Sequence, residues 1–494
     1  QPLGELRFKE LQPAEPWEGV LNATIEGPVC YQHNVFFGPF MAPQGTSESC
    51  ITANVHVPMG ALPQPGEEPT TGGLPIFVFY HGGGWACGSG DSDVNGPEFM
   101  LGRDVIVITF NYRLDVLGFL SLGTAKIPGN NGLRDAITLL RWVQRNARRF
   151  GGNPDEVTLA GESAGSNNAH WLSLSPAAKG LFKRVWLMSG TAIPGIQVTA
   201  PAYAQQLATS YLEILGLSGM DYDTVHDKLV QMDIETLYNA SSQFLPLTFT
   251  TFMPVQESPL PGVTAIIPED PETMLANGNG DDIPLVAGYN SNECQAFHFR
   301  LIDINIVNRS QENPVNALPP QLPFVLPESE TAAIAEKVKE KYFGDELTLE
   351  KYKKVCADLQ MAEPTLRFVR ERAARGGAPV YLYKFSYEAV HSVIKQVFGI
   401  EYSGAAHIED LNNILKVNSI PVPPSTADDN MKEWMSGLAV NFVKTGAPSL
   451  DNSWPPQAGG EPLKYYDIVT PFEFNYIEVS DEENAIGDVY DIET

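Results

Sequence analysis

A serine flanked by two glycines constrains the fold of this chain more than any other feature of its sequence. The β-branched, apolar run 157–160 leads directly into G-E-S-A-G at 161–165, and a helical pattern follows. A plain turn would also use glycine and serine, because glycine adopts positive φ angles at little cost. The alternative is a nucleophile elbow, in which a strained strand-to-helix turn lifts the hydroxyl of Ser163 into a pocket. Other motifs in the chain must decide between the two.

Short apolar runs alternate with helix-length segments along the whole chain. A helix is predicted over 132–150, and strands are predicted at 76–80, 105–110, 157–160, 184–188, 283–287 and 380–385. This alternation is typical of an α/β fold with a large, mostly parallel central sheet and helices on both faces. The proline-rich stretch 310–330 indicates a surface excursion, because core-like strands continue after it. We therefore expect residues 1–494 to form a single domain.

A serine nucleophile needs a histidine base and an acid that orients the histidine. In hydrolases with this elbow the three residues follow one another along the chain in the order serine, acid, histidine. His407 is the predicted base, because it follows the small residues Gly404, Ala405 and Ala406 in a loop after the strand 380–385. Three other histidines fit less well. His170 is predicted to lie too close to the elbow, His226 in solvent, and His391 in a surface or structural position.

The acid that orients the histidine is predicted at the C-terminal end of a strand between the serine and the histidine. Glu293 meets this condition, because it follows the apolar run 283–287 after a five-residue turn. Asp410 lies close to His407 in sequence and remains an alternative. Its side chain would equally serve as the N-cap of a following helix.

A second motif supports the elbow. The sequence H-G-G-G-W at 81–85 follows the predicted strand 76–80. Consecutive glycines leave backbone N–H groups unhindered, so Gly83 and Gly84, with Ala164 after the nucleophile, are predicted to bind a developing oxyanion. A phosphate-binding loop would require a following G-K-[ST], which is absent. Two motifs in the expected order favour the elbow over the plain turn.

Composition restricts the partners of the chain. Its 60 acidic and 32 basic residues give a formal net charge of −28, which disfavours nucleic acid and anionic membranes. No apolar run approaches the ~18 residues that a membrane-spanning helix needs. The cysteines form no C-x-x-C pair, so no structural zinc is expected. The expected partner is a small ester, and the expected acyl transfer uses neither a cofactor nor a metal.

Two indirect features favour a secreted protein. Cys30 and Cys50 bracket a turn-rich loop that a disulfide could close. The other cysteines leave at least one thiol free or paired elsewhere: Cys87, Cys294 and Cys356. N-glycosylation sequons occur at three asparagines: Asn22, Asn239 and Asn308.

The chain resembles the type-B carboxylesterase and cholinesterase family almost from end to end. The matching stretches are PLGELRF at 2–8, SESC at 47–50, NYRLDVLGFLS at 111–121, GNNGLRDAITLLRWVQRN at 129–146, FGGNPDEVTLAGESAG at 150–165, KGLFKRVWLMSG at 179–190 and NFVKTGAPS at 441–449. The resemblance implies an α/β-hydrolase fold and ester hydrolysis. Residues that usually precede PLGELRF in the family are absent here, so the family's early strands are expected to be missing.

The resemblance also implies roles for individual residues. It assigns Ser163, Glu293 and His407 as the catalytic triad. It assigns the backbone N–H groups of Gly83, Gly84 and Ala164 as the donors of the oxyanion hole. It supports a disulfide between Cys30 and Cys50. It places the hydroxyl of Ser189 near the catalytic acid and the carboxylate of Glu162 at the base of the gorge. The second intrachain disulfide of cholinesterases has no evident counterpart in the sequence.

The loop between Cys30 and Cys50 departs from the cholinesterase pattern. It has no tryptophan, the residue on which cholinesterases hold the choline cation, but it carries three phenylalanines: Phe36, Phe37 and Phe40. With Trp85 after the oxyanion glycines, these rings predict a pocket for long, neutral, apolar groups. Packing of the phenylalanines beneath the loop is the alternative.

One stretch of the chain bears on the substrate class. The stretch 292–314 is similar to the juvenile hormone and antennal esterases of insects, especially moths. Juvenile hormone esterases typically carry G-Q-S-A-G at the elbow, whereas this chain has Glu162. We therefore expect a serine carboxylesterase for odorant, pheromone or dietary esters, with juvenile hormone esterase as the alternative. A non-catalytic adhesion or lipophilic-ester-binding module of the same fold is the alternative of another class.

Overall fold

The computed structural model describes residues 1–33, 35–36, 45–64, 72–193 and 200–491. The strands found there are β1 Val29–Cys30, β2 Thr46–Ser47, β3 Ala53–His56, β4 Leu74–Tyr80, β5 Ile106–Phe110, β6 Gly152–Glu162, β7 Arg184–Met188, β8 Leu285–Asn290, β9 Val380–Phe385, β10 Lys464–Ile468 and β11 Tyr476–Glu478. Nine of them form one sheet in the order β3-β5-β4-β6-β7-β8-β9-β10-β11. The seven inner strands are parallel, and the edge strands β3 and β11 are antiparallel to their neighbours. The predicted α/β architecture with a mostly parallel sheet is confirmed.

Helices connect the strands. The α-helices of the described residues are α1 Glu98–Leu101, α2 Asp115–Phe119, α3 Asn131–Asn146, α4 Ala164–Leu174, α5 Pro201–Ile214, α6 Tyr222–Gln231, α7 Ile234–Ser242, α8 Pro271–Ala276, α9 His298–Asp303, α10 Ile306–Glu312, α11 Leu322–Val325, α12 Glu328–Val338, α13 Leu349–Ala357, α14 Glu363–Arg375, α15 Val393–Phe398, α16 Thr426–Thr445 and α17 Asp481–Asn484. The helix predicted over 132–150 is α3 followed by the 3-10 turn Ala147–Phe150. No helix among the described residues is long and apolar enough to cross a membrane.

The sheet is buried on both faces. Along β4, Ile76, Val78 and Tyr80 pack into one hydrophobic cluster, and the alternate residues Phe77 and Phe79 pack into another. Side chains of a strand point alternately to opposite faces, so both faces of the sheet are covered. Functional side chains are therefore expected at the carboxyl ends of the parallel strands, where the connecting loops lie.

The strand β8 continues beyond its predicted end. A turn is predicted from Gly288, but the backbone stays paired with β9 as far as Asn290. A Cβ atom on Gly288 would overlap the ring of Tyr383 on the neighbouring strand. The glycine therefore makes room for an aromatic ring inside the sheet and does not form a turn.

The structure corrects the prediction for His226 and shows how the cysteines pair. His226, predicted to be solvated, is 2% exposed, because it lies on the buried side of α6 with Val225 and Leu229. Disulfides join Cys30 to Cys50 and Cys294 to Cys356, and Cys87 is a buried free thiol. The second disulfide closes a sequence separation of 62 residues, and nothing in the local sequence pattern indicated it.

Candidate active site

Ser163 lies on a strained turn between β6 and α4. Its φ and ψ are +56° and −127°, a region that residues with a Cβ atom rarely occupy. The flanking glycines explain how the turn is accommodated. A Cβ on Gly161 would collide with the backbone of Gly165, and a Cβ on Gly165 would collide with the carbonyl groups of Tyr80 and His81. Strand, helix and the end of β4 approach so closely that only glycine fits at both positions, which is the geometry of a nucleophile elbow.

Glu293 and His407 come together from distant parts of the chain. Glu293 begins the 3-10 turn Glu293–Phe297 after β8, and its Oε2 lies 2.6 Å from Nδ1 of His407. Its Oε1 accepts hydrogen bonds of 2.6 Å from the hydroxyl of Ser189 and from the N–H of Asn290. A carboxylate held in this way keeps the proton of a neutral imidazole on Nδ1 and leaves Nε2 as the basic atom.

Asp410, the alternative acid, has other partners. Its carboxylate accepts a 2.6 Å bond from the hydroxyl of Tyr383 and a 2.9 Å bond from the N–H of Leu411. It also accepts a 3.1 Å bond from the side-chain amide of Asn290. The structure therefore gives Asp410 a capping and supporting role, and Glu293 is the acid that contacts the histidine.

Glu162 brings a second carboxylate to the same imidazole. Its Oε1 lies 3.0 Å from Nε2 of His407, although neither atom forms a well-directed hydrogen bond. Burial raises the pKa of Glu162, and the nearby imidazolium opposes that shift. Burial on its own lowers the pKa of His407, but the carboxylates of Glu162 and Glu293 outweigh it and raise the pKa above its ordinary value.

The glycine loop lies against the elbow. Gly83 and Gly84 adopt φ angles of +104° and +60°. The carbonyl of Gly83 accepts 3.1 Å bonds from the N–H groups of Ala86 and Cys87, which fold the loop back on itself. Within the described part of the chain, the N–H groups of Gly83 and Gly84 donate to no protein acceptor. Ala164 is the first residue of α4, so its N–H belongs to a helix N-terminus that favours negative charge.

A cavity of about 530 Å³ contains the elbow and most of the predicted site. Its wall is mainly apolar and aromatic, with these residues: Phe36, Gly83, Gly84, Trp85, Glu162, Ser163, Ala164, Asn167, Phe249, Thr250, Phe297, Gln360, Met361, His407 and Ile408. A second cavity of about 610 Å³ adjoins it and shares Gly83, Glu162 and Ile408.

The predicted pocket residues divide into three groups. Phe36, Trp85 and Glu162 line the cavity. Ser189 is fully buried behind Glu293 and is absent from the cavity wall. Phe37 and Phe40 lie outside the described residues.

Sequence reasoning missed part of the cavity wall. Phe36 packs against Phe249 and Phe297, with ring centroids 5.5 and 5.7 Å away. The sequence motifs pointed to neither of these two phenylalanines. Phe297 also lies 4.9 Å from the imidazole of His407. Only the fold brings these residues to the serine, since no motif marks them in the sequence.

A parallel sheet, a serine on a glycine-flanked elbow, and a carboxylate–imidazole pair at the carboxyl ends of later strands define an α/β-hydrolase. Comparison with known proteins identifies the group within that class. The model of the carboxylesterase family matches residues 1–484. The chain belongs to the carboxylesterase family and is a carboxylic ester hydrolase.

Several relatives are similar over nearly the whole chain. A juvenile hormone esterase of Heliothis virescens is 45% identical over 99% of this chain and 88% of its own length. Esterase FE4 of Myzus persicae is 33% identical over 92% of this chain and 80% of its own length. The crystal structure of juvenile hormone esterase from Manduca sexta, with OTFP covalently attached, has a TM-score of 0.95 and 45% identity, and covers 99% of this chain and 92% of that one.

Proposed function

We propose that the chain is a serine carboxylesterase that hydrolyses neutral, apolar esters through an acyl-enzyme. Ser163 is the nucleophile, His407 the base and Glu293 the orienting acid. The observation that carries this proposal is the 2.6 Å contact between the buried Glu293 and His407, whose imidazole lines a cavity that also contains the strained serine. These are the parts that nucleophilic acyl transfer requires.

The reaction has two steps. In the first, Oγ of Ser163 attacks the carbonyl carbon while Nε2 of His407 takes the hydroxyl proton, and the alcohol leaves with that proton. In the second, His407 takes a proton from water, the hydroxide attacks the acyl-enzyme, and the acid is released with Ser163 restored. The N–H groups of Gly83, Gly84 and Ala164 stabilise the oxyanion in both steps, which is worth roughly 10²–10³ in kcat for each donor.

Variants of the three proposed catalytic residues test the mechanism. Ser163→Ala, Glu293→Gln and His407→Ala should each nearly abolish hydrolysis of a chromogenic ester. Their effects should not add in double variants, because the three residues act as one unit. Mass spectrometry of the enzyme with a slowly hydrolysed ester should detect an acyl group on wild type and none on Ser163→Ala. Wild-type kcat in Ser163→Ala would refute the proposal.

The cavity wall supports the choice of neutral, apolar substrates. Among its residues, Phe36, Trp85, Phe249, Phe297 and Met361 present apolar surface. Glu162 is the one carboxylate in the wall of the cavity among the described residues, and burial raises its pKa. A neutral alkyl or terpenoid group gains about 0.8 kcal/mol for each methylene it buries. A quaternary ammonium loses hydration there and finds only this one acid.

A substrate panel tests this preference. We expect kcat/KM to rise with alkyl length along a series of alkyl acetates and to be low for acetylcholine. Ser163→Ala measured beside wild type removes any contaminating hydrolysis from the comparison. A preference for acetylcholine, or a steady fall from the shortest ester onward, would contradict the proposed substrate class.

Juvenile hormone is a specific second candidate as substrate. Identity of 45% over almost the entire length, to proteins named juvenile hormone esterase from two moths, favours it. Glu162 favours other apolar esters, because juvenile hormone esterases typically carry glutamine at this position of the elbow. Measuring kcat/KM for juvenile hormone and for a pheromone-type acetate of similar length distinguishes the two roles. The substrate whose kcat/KM is higher by tenfold or more identifies the role.

We also propose that the protein is secreted and glycosylated. Its two disulfides suit an oxidising compartment. The asparagines of the three sequons are exposed: Asn22, Asn239 and Asn308. Expression in insect cells should deliver the protein to the medium, and peptide N-glycosidase should lower its mass. An intracellular, unmodified product would contradict this proposal.

A further inference from the structure

The segment that carries Glu293 is fastened to one helix by two different kinds of link. The disulfide between Cys294 and Cys356 joins the residue directly after Glu293 to α13. Both sulfur-bearing residues are buried, with 0% and 1% exposure. A covalent link at the neighbouring residue limits how far the backbone of Glu293 moves relative to α13.

The second link is a polar cluster centred on a buried lysine. Lys353 of α13 is 2% exposed. Its Nζ donates to Oε1 of Gln295 at 2.7 Å and to Oε1 of Glu350 at 2.7 Å, and it lies 2.9 Å from Nδ1 of His298. The amide of Gln295 donates in turn to Oε2 of Glu350 at 2.8 Å. All three donors of the ammonium therefore have acceptors. The bond from Lys353 to Gln295 is buried, whereas the side chain of Glu350 is 66% exposed, so the buried bond is the part of the cluster that restrains the turn.

The charge state of the cluster is consistent with this arrangement. Since Nδ1 of His298 accepts a hydrogen bond from the ammonium of Lys353, the ring is neutral with its own proton on Nε2. Burial and the neighbouring ammonium lower the pKa of His298, which keeps the ring neutral. Hydrogen bonds from Lys353 and Gln295 outweigh burial and lower the pKa of Glu350, which keeps that side chain ionised. The only net charges at the centre of the cluster are thus one ammonium and one carboxylate.

The same helix leads into the cavity wall. After α13 the chain forms the π-helical turn Asp358–Ala362, whose Gln360 and Met361 line the cavity. The disulfide sulfur of Cys356 lies 3.4 Å from Oε1 of Gln360. On the other side, the turn Glu293–Phe297 supplies both Glu293 and the cavity residue Phe297. α13 is therefore the common support of the proposed catalytic acid and of two parts of the wall.

From these contacts we infer that Lys353, Gln295 and the Cys294–Cys356 disulfide are positioning residues that hold Glu293 in register with His407. The inference rests on the proposed function, because it takes Glu293 as the orienting acid. None of these residues touches the reacting atoms. They act on the turn that begins at Glu293, whose carbonyl also accepts the N–H of His407 at 3.0 Å.

A double-variant cycle tests the inference. Lys353→Met keeps the length of the side chain and removes the ammonium. We expect it to lower kcat/KM about 10- to 100-fold, since small misplacements of catalytic groups have effects of this size. The loss should appear mainly in kcat, because the cavity wall stays largely intact. In the Glu293→Gln background the same substitution should have no further effect, since a residue that acts only through Glu293 has nothing left to position.

The adjacent lysine provides a matched control. Lys354 lies on the same helix, has a half-exposed side chain and pairs with Asp358 at 2.8 Å, away from the turn Glu293–Phe297. Lys354→Met should leave kcat/KM unchanged. Melting temperatures are measured for all variants, and assays are made well below the lowest. If Lys353→Met does not fold, the paired substitution Cys294→Ala and Cys356→Ala replaces it in the same cycle with the same expected pattern.

The outcomes separate the inference from the proposed function. Full activity of the Lys353 variant, or an equal loss in the wild-type and Glu293→Gln backgrounds, would overturn the positioning role. Full activity of Glu293→Gln alone would instead overturn the assignment of Glu293 as the catalytic acid. A loss confined to the background that retains Glu293 supports both.

Discussion

Nε2 of His407 lies 3.0 Å from Oε1 of Glu162, the residue that immediately precedes the elbow serine. This nitrogen is the atom that must take the proton of Ser163 in the proposed reaction. A carboxylate so close to it stabilises the imidazolium, in which Nε2 is already protonated and cannot act as a base. The residue before the serine therefore affects the pH range in which the enzyme works.

Glu162→Gln should move the acid limb of the pH profile to lower pH. The carboxylates of Glu162 and Glu293 raise the pKa of His407 above its ordinary value. A base with a raised pKa becomes neutral only at higher pH, so wild-type kcat/KM should rise with an inflection above ~6.5. Removing one of the two carboxylates lowers the pKa, and the variant should reach its plateau at a more acidic pH.

The measurement is kcat/KM between about pH 5 and pH 9 with a neutral substrate, so that the substrate does not titrate. Glu162→Asp is the control, because it keeps the charge and only withdraws it by one methylene. It should leave the inflection between those of wild type and Glu162→Gln. Identical profiles for all three proteins would mean that Glu162 does not influence the base.

Ser163→Gly should be more stable than Ser163→Ala although both are inactive. The backbone at this position has φ +56° and ψ −127°, which costs a residue with a Cβ atom about 1–3 kcal/mol. Glycine avoids that cost but loses about 0.4–1 kcal/mol through the greater freedom of its unfolded chain. We expect a net gain of about 1 kcal/mol in the free energy of unfolding, measured by urea denaturation. Equal stability would mean that the strain at the elbow is no larger than the unfolded-chain cost of glycine, about 0.4–1 kcal/mol.

Gly165→Ala should impair folding and activity together. A Cβ at this position would collide with the carbonyl oxygens of Tyr80 and His81, and backbone atoms do not yield as a flexible side chain does. The helix α4 would have to move away from β4 and carry the elbow with it. Gly180→Ala is a suitable control for a glycine in open space, since nothing lies within 4 Å of its Cβ position. Its positive φ of +78° makes it a test of backbone strain alone.

Local sequence signals predicted the sheet and the motifs well. The strands β7 and β9 lie at the predicted residues 184–188 and 380–385, because each is a short, buried and mainly apolar run between helix-length segments. G-E-S-A-G and H-G-G-G-W were recognisable because tight backbone approaches demand glycine at fixed spacings. A steric requirement of this kind involves only a few adjacent residues, so it can be recognised in the local sequence.

Features that depend on distant contacts were not predictable in this way. The partner of Cys294 lies 62 residues away in α13, and any of the remaining cysteines fitted the count equally well. Glycine is common in turns, so the sequence predicts a turn at Gly288, whereas its role is to accommodate Tyr383 from the next strand. Phe249 and Phe297 carry no motif at all, and only the fold brings them to Phe36.

The residue after the proposed base, Ile408, offers a test of how the two cavities are used. Ile408 lines both the cavity at Ser163 and its neighbour. Its φ is +70°, an outlier for a β-branched side chain. Strain of this kind is retained only where the surroundings enforce it, and it is concentrated at functional sites. We infer that the side chain of Ile408 partly separates the two cavities.

Ile408→Ala should therefore favour longer esters. Ile408 lines both cavities, so we expect loss of its sec-butyl group to make them more continuous and to let a chain too long for one of them extend into the other. Each methylene newly buried contributes about 0.8 kcal/mol, or about fourfold in kcat/KM. We expect the ratio of kcat/KM for decyl acetate to that for butyl acetate to rise severalfold over wild type. Ile408→Val is the control, since it removes one methyl group and should change the ratio little. A ratio that is unchanged or lower in Ile408→Ala would show that the side chain does not limit the length of the substrate.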